Sequence, residues 1–251
     1  MTLSPIPRVL STFRRRRVKA LLMGGQACIL YGAAEFSRDV DFAIAVSADN
    51  LDRLRSALKD LKAEPVFFPP LSVDALRRGH ACHFRCLAPG LHEIRIDVMA
   101  KMRGADAFER LWKRRERLKI PGVGPLPVMS LQDLVRIKKT QRDKDWPMVR
   151  RLVESDMDRA PRPVPRTRLD FWLRECRTPE LLCELAGGHP RAAGRIGRLR
   201  PAVRAARRLD LRAIERELAK EQARERELDQ RYWQPLRAEL ERMRGDRRLD
   251  V

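Results

Sequence analysis

The chain has 251 residues, of which 43% are hydrophobic, and its formal net charge is +20 at pH 7. A chain of this length can bury a sizeable core and accommodates two folded units. No apolar run approaches the roughly 20 residues that cross a bilayer, and residues 1–19 lack the apolar core of a secretion signal. The sequence therefore predicts a cytoplasmic protein with no membrane partner.

The strongly basic charge predicts a polyanionic partner. Lys and Arg number 54, against 34 Asp and Glu, and the excess is present in both halves of the chain. Such a charge attracts RNA, DNA or nucleoside triphosphates without selecting among them. The alternative is a solvated, arginine-rich surface. The five cysteines contain no Cys-x-x-Cys pair, which favours reduced thiols.

The first half alternates short helices and strands, which predicts an α/β (α+β) fold with a mixed sheet. In chain order the expected elements are a helix over 5–17, a strand over 19–23, a helix from 25 or 26 to near 32, a strand over 40–46, a helix capped at Asp49-Asn50 and running to 61, a strand over 64–68, a helix over 73–78, strands over 80–88 and 93–99, a helix over 104–114, and two short edge strands within 117–129.

From Ser130 onward the pattern predicts helices. Ser130 is a candidate N-cap with Asp133 three residues later, and that helix is expected to continue through Lys138. A second helix runs from Trp146, residues 160–165 read as a proline-rich linker, and a long helix from near 210 is expected to break at Pro235. The predicted domains are 1–129, 130–160 and an all-helical C-terminal region, 161–251.

Three aspartates are the candidate catalytic and metal-binding residues. Asp39 and Asp41 alternate with apolar residues in a predicted strand, so they share one face. Asp97 lies in a second apolar run further along the chain. Carboxylates brought together repel one another and raise each other's pKa, and a divalent cation removes that conflict. Because Mg²⁺ prefers carboxylate and phosphate oxygens, the pattern predicts a metal-dependent nucleotidyl-transfer site.

Gly24 and Gly25 lie where a strand passes into a helix. Small residues let a backbone approach phosphate closely, and a helix start favours anions. The glycine pair is therefore the candidate phosphate-contacting turn of the same site.

Residues 24–27 (Gly-Gly-Gln-Ala), 37–41 (Ser-Arg-Asp-Val-Asp) and 95–98 (Arg-Ile-Asp-Val) resemble the signature of the DNA polymerase β-type nucleotidyltransferase superfamily. The segment from Leu131 to Asp145 resembles the helical element of small bacterial members, including abortive-infection type nucleotidyltransferases. The resemblance covers roughly residues 19–155. It implies transfer of a nucleoside monophosphate from a triphosphate to an acceptor hydroxyl, with a cognate antitoxin as a further partner. The basic charge favours RNA, such as tRNA, as the acceptor, and a small-molecule hydroxyl, as in antibiotic-modifying relatives, is the alternative.

The resemblance also implies residue roles. Asp39 and Asp41 would bind two Mg²⁺ or Mn²⁺ ions, while Asp97 would bind one and help deprotonate the acceptor. The nucleotide-binding residues it implies are Gly24, Gly25, Ser37, Lys138 and Arg142, with 130–160 completing the nucleotide site. Lys138 and Arg142 would share one helix face. Two departures are Gln26, where relatives commonly have Ser, and Glu35, where relatives often carry Arg.

Other interpretations remain open. The departures at Gln26 and Glu35 are compatible with a non-catalytic nucleotide- or nucleic-acid-binding module, or a toxin–antitoxin component. Lys138 and Arg142 also fit a solvated basic face. A zinc site from His80, Cys82, His83 and Cys86 is disfavoured, because no second ligand cluster is evident and structural zinc needs four close ligands.

Overall fold

The structure is a computed structural model that describes residues 5–91 and 94–249. It contains a mixed seven-stranded sheet with helices, followed by a helical C-terminal region, so the predicted fold class is confirmed. The chain divides into two compact units. The first comprises the chain up to Leu30, Ala34–Ile137 and the chain from Tyr232, and the second comprises Tyr31–Ala33 and Lys138–Arg231. These limits differ from the predicted boundaries at 130 and 161.

The first unit contains the sheet. Its strands are β1 Ala20–Met23, β2 Asp39–Ile44, β3 Ala63–Pro65, β4 Cys82–Cys86, β5 Arg95–Met99, β6 Glu116–Ile120 and β7 Gly124–Val128. Its complete helices are α1 Ile6–Arg15, α2 Gly24–Leu30, α3 Ala48–Asp60, α4 Val73–Arg78, α5 Phe108–Lys113 and α6 Leu131–Ile137.

The order of strands in the sheet is β3-β4-β5-β2-β1-β7-β6. β2 and β5 lie side by side at the centre and run parallel, while β4 pairs with β5 in the antiparallel sense expected of a hairpin. The two strands expected at an edge, β6 and β7, pair with each other. Of these two, β6 lies at an edge of the sheet, whereas β7 also pairs in parallel with β1.

The two faces of β2 have different environments. Val40 and Phe42 are buried, and the ring of Phe42 stacks on Phe13 of α1 with 4.2 Å between ring centroids. Because side chains alternate along a strand, Asp39 and Asp41 point to the other face. The predicted alternation is thus confirmed, and burial of the apolar face fixes the direction of the two carboxylates.

The second unit is helical. Its complete helices are α7 Asp145–Asp158, α8 Arg166–Glu175, α9 Pro179–Gly188, α10 Pro190–Gly197 and α11 Pro201–Ala206, and α12 Leu211–Leu249 begins in this unit and ends in the first. Asp156 fastens α7 to α8: it accepts hydrogen bonds from Trp172 Nε1 at 2.7 Å and from both Arg168 Nε and Nη2.

Some boundary predictions need correction. α6 ends at Ile137, so Lys138 lies beyond it. α12 continues through Pro235, where a break was expected. Strong helix formers on both sides of that residue offset the cost of about 3 kcal/mol that proline imposes inside a helix. The N-cap of α3 is Ser47, whose side chain accepts from the Asn50 backbone N–H; Asn50 is buried and bonds to Lys19 and Ala45.

A search of the described residues finds no helix that is both long enough and apolar enough to span a bilayer.

Candidate active site

The three aspartates lie on one face of the sheet in the first unit. In the parallel pairing of β2 with β5, Asp41 is opposite Asp97 and Asp39 is opposite Arg95. In the antiparallel pairing of β4 with β5, His83 is opposite Asp97. We call this set of Asp39, Asp41, Arg95, Asp97 and His83 the carboxylate face. Neighbouring strands lie about 4.8 Å apart, so residues in register are direct neighbours.

Arg95 joins two of the carboxylates. Its Nη2 donates to Asp39 Oδ2 at 2.5 Å, and its Nε lies 3.1 Å from Asp97 Oδ1. The second contact is close but not aligned as a hydrogen bond, since the buried Nε makes none in the structure. One guanidinium therefore supplies positive charge to both Asp39 and Asp97 on a partly exposed face.

His83 bonds directly to Asp97. The distance from His83 Nδ1 to Asp97 Oδ1 is 2.8 Å, a hydrogen bond in which the ring nitrogen donates whenever Asp97 is a carboxylate, because a carboxylate can only accept. The imidazole also meets the ring of Phe67 edge to face, with 5.5 Å between centroids. Sequence reasoning considered His83 only as a zinc ligand. The signal it missed was the hairpin register, which places residue 83 opposite 97.

The glycine pair gives Asp41 and Ser37 their space. Gly24 has a φ of +66°, and a Cβ added there would lie 1.8 Å from Asp41 Oδ2. A Cβ on Gly25 would lie 2.4 Å from Ser37 Oγ. Gln26 donates from Nε2 to the Ser37 carbonyl at 2.8 Å. Gly24 therefore adjoins Asp41 and Gly25 adjoins Ser37, while the nucleotide-binding roles of these residues stay a prediction. Glycine is required at 24 by both backbone conformation and space.

The carboxylate face fits a cation in its chemistry. Asp39 and Asp97 already share one positive group, the Arg95 guanidinium, and oxygen donors of this kind suit Mg²⁺ or Mn²⁺. Within the described residues, however, no three His, Cys, Asp or Glu side chains are grouped so that they could hold a metal ion. The metal-ligand roles of Asp39, Asp41 and Asp97 thus stay a prediction.

Lys138 and Arg142 belong to the second unit. They lie in the loop between α6 and α7, so the predicted shared helix face is wrong. Both pair with Asp145: Lys138 Nζ donates to Oδ1 at 3.1 Å and Arg142 Nε donates to Oδ2 at 2.9 Å. Thr140 Oγ1 donates to the same carboxylate at 2.6 Å. The predicted phosphate contact of Lys138 and Arg142 is an untested proposal.

Asp145 is fully buried and ionised. Burial opposes its charge, but the charge of Lys138, the hydrogen bond from Thr140 and the charge of Arg142 outweigh this effect. The pKa of Asp145 therefore lies below its ordinary value of 3.8.

The disfavoured zinc interpretation gains no support from the contacts. His80 Nε2 lies 2.9 Å from Glu239 Oε2, and His83 is bonded to Asp97. Burial raises the pKa of Cys82 and of Cys86 to about 11, so both remain thiols at neutral pH. Because zinc binds thiolates, neither cysteine is prepared as a ligand.

Comparison with known proteins gives the following. No protein-family model and no curated protein matches the chain. A solved structure from H. pylori, assigned as a nucleotidyltransferase, matches with a TM-score of 0.41 and 14% identity over 86% of this chain and 93% of that chain. The solution structure of the antibiotic-resistance factor ANT(2'')-Ia matches with a TM-score of 0.35 and 11% identity over 87% and 94%. At these TM-scores the likeness carries no argument, so function is argued from the chain's own residues.

Proposed function

We propose that the protein is a metal-dependent nucleotidyltransferase, which transfers a nucleoside monophosphate from a nucleoside triphosphate to an acceptor hydroxyl and releases pyrophosphate. The observation that carries the proposal is the register of β2 with β5. It sets Asp41 beside Asp97, with Asp39 on the same face, next to a glycine turn that leaves room for the carboxylate of Asp41.

In this function Asp39 and Asp41 would hold both ions and Asp97 would hold one. Two divalent ions, Mg²⁺ or Mn²⁺, would neutralise the phosphates and activate the acceptor oxygen. Before they bind, the Arg95 guanidinium contacts both Asp39 and Asp97 and offsets the repulsion between the two carboxylates. Metal binding requires the guanidinium to give up at least part of these contacts, which its partial exposure permits.

The remaining chemistry consists of positioning and one proton transfer. The acceptor oxygen forms a bond to the α-phosphorus, and the bond from that phosphorus to the bridging oxygen of the β-phosphate breaks. Asp97 receives the hydroxyl proton, and the hydrogen bond from His83 Nδ1 holds its carboxylate in one orientation. Ser37 and the turn at Gly24 and Gly25 lie where the triphosphate would be placed.

The acceptor proposed is RNA in the cytoplasm, because a net charge of +20 favours a polyanion over a neutral small molecule. Pairing with a cognate antitoxin, as the sequence resemblance implies, is part of the same proposal.

The test is a transfer assay. The protein is incubated with each labelled triphosphate, Mg²⁺ or Mn²⁺, and total RNA, and acid-insoluble label is counted. We expect Asp41→Asn to lower the rate by at least about 100-fold, since loss of a metal ligand exceeds the 10- to 100-fold effect of an outer-shell partner. Asp52→Asn, which removes an exposed carboxylate paired with Arg55, is the matched control. Equal activity of Asp41→Asn and Asp52→Asn would refute the proposal.

A second candidate is a nucleotide- or nucleic-acid-binding module without catalysis. It is favoured by the contacts of Arg95, because the protein's own cation occupies Asp39 and Asp97, and by Gln26, whose side chain is committed to Ser37. Chelator separates the candidates: an enzyme loses its function when metal is removed, whereas a basic binding module responds mainly to salt.

A further inference from the structure

The second unit contains a segment with a large local excess of arginine. Residues 191–212 include eight arginines and one acidic residue, Asp210. Two of these arginines have structural partners: Arg195 pairs with Asp170, and buried Arg200 pairs with Glu221. The other six are exposed: Arg191, Arg198, Arg204, Arg207, Arg208 and Arg212.

The packing of α10 against α11 brings three of them together. Arg191 and Arg198 are seven residues apart, which places them on the same side of α10. A Cβ added to Gly194, between them, would lie 4.0 Å from Arg207 Cζ, so the guanidinium of Arg207 lies over the middle of the helix. We call Arg191, Arg198 and Arg207 the arginine face.

The charges of the arginine face are not compensated within the part of the chain that the structure describes, where none of the three forms an ion pair. Some exposed arginines elsewhere do have carboxylate partners, such as Arg53 with Asp49. Three like charges on one surface repel one another, and a polyanion removes that cost.

The apolar sides of the two helices are already used. Ala193 and Ile196 of α10 and Val203 and Ala206 of α11 are buried. What remains outside is arginine with isolated leucines, of which Leu199 is 75% exposed. A membrane-binding helix needs a continuous apolar face to insert into lipid, and these helices have none left. Guanidinium groups bind phosphates bidentately and stack on bases, as recognition of nucleic acid requires.

We propose that the arginine face binds RNA through its phosphates, with Leu199 touching unpaired bases. The proposal rests on the proposed function only in choosing RNA as the polyanion. The binding itself needs neither metal nor triphosphate, and it can therefore be measured separately from transfer.

The test measures fluorescence anisotropy of a labelled single-stranded RNA oligonucleotide with the full chain carrying Asp41→Asn, over a series of salt concentrations. We expect the triple change Arg191→Glu, Arg198→Glu and Arg207→Glu to weaken binding at least about tenfold. We also expect the slope of log K against log salt to fall in magnitude by about 2, since each phosphate contact on a single strand contributes about 0.7.

The matched control is Arg150→Glu, Arg151→Glu and Arg231→Glu, which changes the net charge equally at exposed positions of the same unit. Two of these arginines adjoin Glu154 and Glu227. We expect the control to change the affinity less than about threefold. Thermal unfolding checks that each variant folds, and a second set with Gln in place of Glu removes charge without adding any.

Equal weakening by the two triple variants would overturn the proposal, because binding would then follow overall charge. It would also be overturned if the Asp41→Asn chain failed to bind RNA at low salt, or if it preferred vesicles containing phosphatidylserine. The proposal is supported if RNA binding is lost in the arginine-face variants and not in the control variants, in both the Glu and the Gln sets. This holds even where the transfer assay shows no activity.

Discussion

The aspartates in two charged clusters, one in each unit, differ in their burial and in their partners. On the carboxylate face Arg95 contacts both Asp39 and Asp97, His83 bonds to Asp97, and the face is partly exposed. Around Asp145 a single buried carboxylate receives hydrogen bonds from Lys138, Thr140 and Arg142. The first arrangement divides one guanidinium between two carboxylates, and the second surrounds one carboxylate with two cations and a hydroxyl.

We infer from this difference that Asp145 stabilises the fold, whereas the acids of the carboxylate face serve the proposed ligands. A buried carboxylate with several donors is costly to disturb, because removal of one partner leaves an uncompensated buried charge. Carboxylates crowded on an accessible face gain from an added cation. The comparison therefore predicts that changes near Asp145 lower stability, whereas changes on the carboxylate face mainly alter metal and nucleotide binding.

Asp145→Asn is expected to have the largest effect, lowering the free energy of unfolding by about 3–5 kcal/mol because Lys138 stays buried and loses its counter-charge. Because the folded-state pKa of Asp145 lies below 3.8, its contribution is present above that value and lost as the pH falls through the folded-state pKa. Denaturant unfolding at several pH values checks both points. Asp49→Asn, at an exposed pair with Arg53, should change stability by less than about 1 kcal/mol. If Asp145→Asn and Asp49→Asn lower the free energy of unfolding by similar amounts, the contrast between the buried and the exposed carboxylate is wrong.

Gly24→Ala is expected to have the next largest effect. The positive φ costs about 1–2 kcal/mol for any residue with a Cβ, and crowding of Asp41 adds to this. Gly90→Ala is the matched control: φ there is +77°, but an added Cβ meets nothing within 4 Å, so that variant carries the backbone cost alone. Transfer should fall with Gly24→Ala and persist with Gly90→Ala. If the two variants match in stability and in activity, the Asp41 carboxylate does not depend on the space at Gly24.

His83→Ala is expected to have a smaller effect, weakening Mn²⁺ affinity about 10- to 100-fold, because a partner that orients a metal-ligating carboxylate typically contributes that much. His83→Asn can present an amide N–H near the position of Nδ1 and should recover most of the affinity. Titration calorimetry with Mn²⁺ alone measures this affinity in the absence of catalysis. If His83→Asn binds Mn²⁺ no more tightly than His83→Ala does, His83 does not orient the carboxylate of Asp97.

Local signals predicted most of the first unit. Alternation in β2, the apolar run of β5 and the turn signals between β4 and β5 are contained within short windows, so the sheet and its polar face could be read from sequence. Ser130 and Asp133 similarly form the expected cap, with the Asp133 N–H bonding to Ser130 Oγ at 3.2 Å.

Contacts between strands distant in sequence could not be read. Pairing of Asp39 with Arg95 depends on the register of β2 with β5, which are separated by more than fifty residues. The sequence does not reveal the end of α6 before Lys138, because Lys138 keeps the three- to four-residue spacing of Leu131, Leu134 and Val135, while its side chain turns to Asp145. A break at Pro235 is what proline alone predicts, whereas the helix formers that flank it allow α12 to continue through this residue.

A glycine inside α10 lowers the intrinsic stability of that helix. Gly194 lies inside this eight-residue helix, where glycine costs roughly 1 kcal/mol of intrinsic helix stability relative to alanine, so the helix opens more readily than one with alanine at that position. An anion held by Arg191, Arg198 and Arg207 would be released whenever the helix frays, so occupancy and local order are linked. Hydrogen-exchange protection of this one short helix would therefore report whether its surface is occupied.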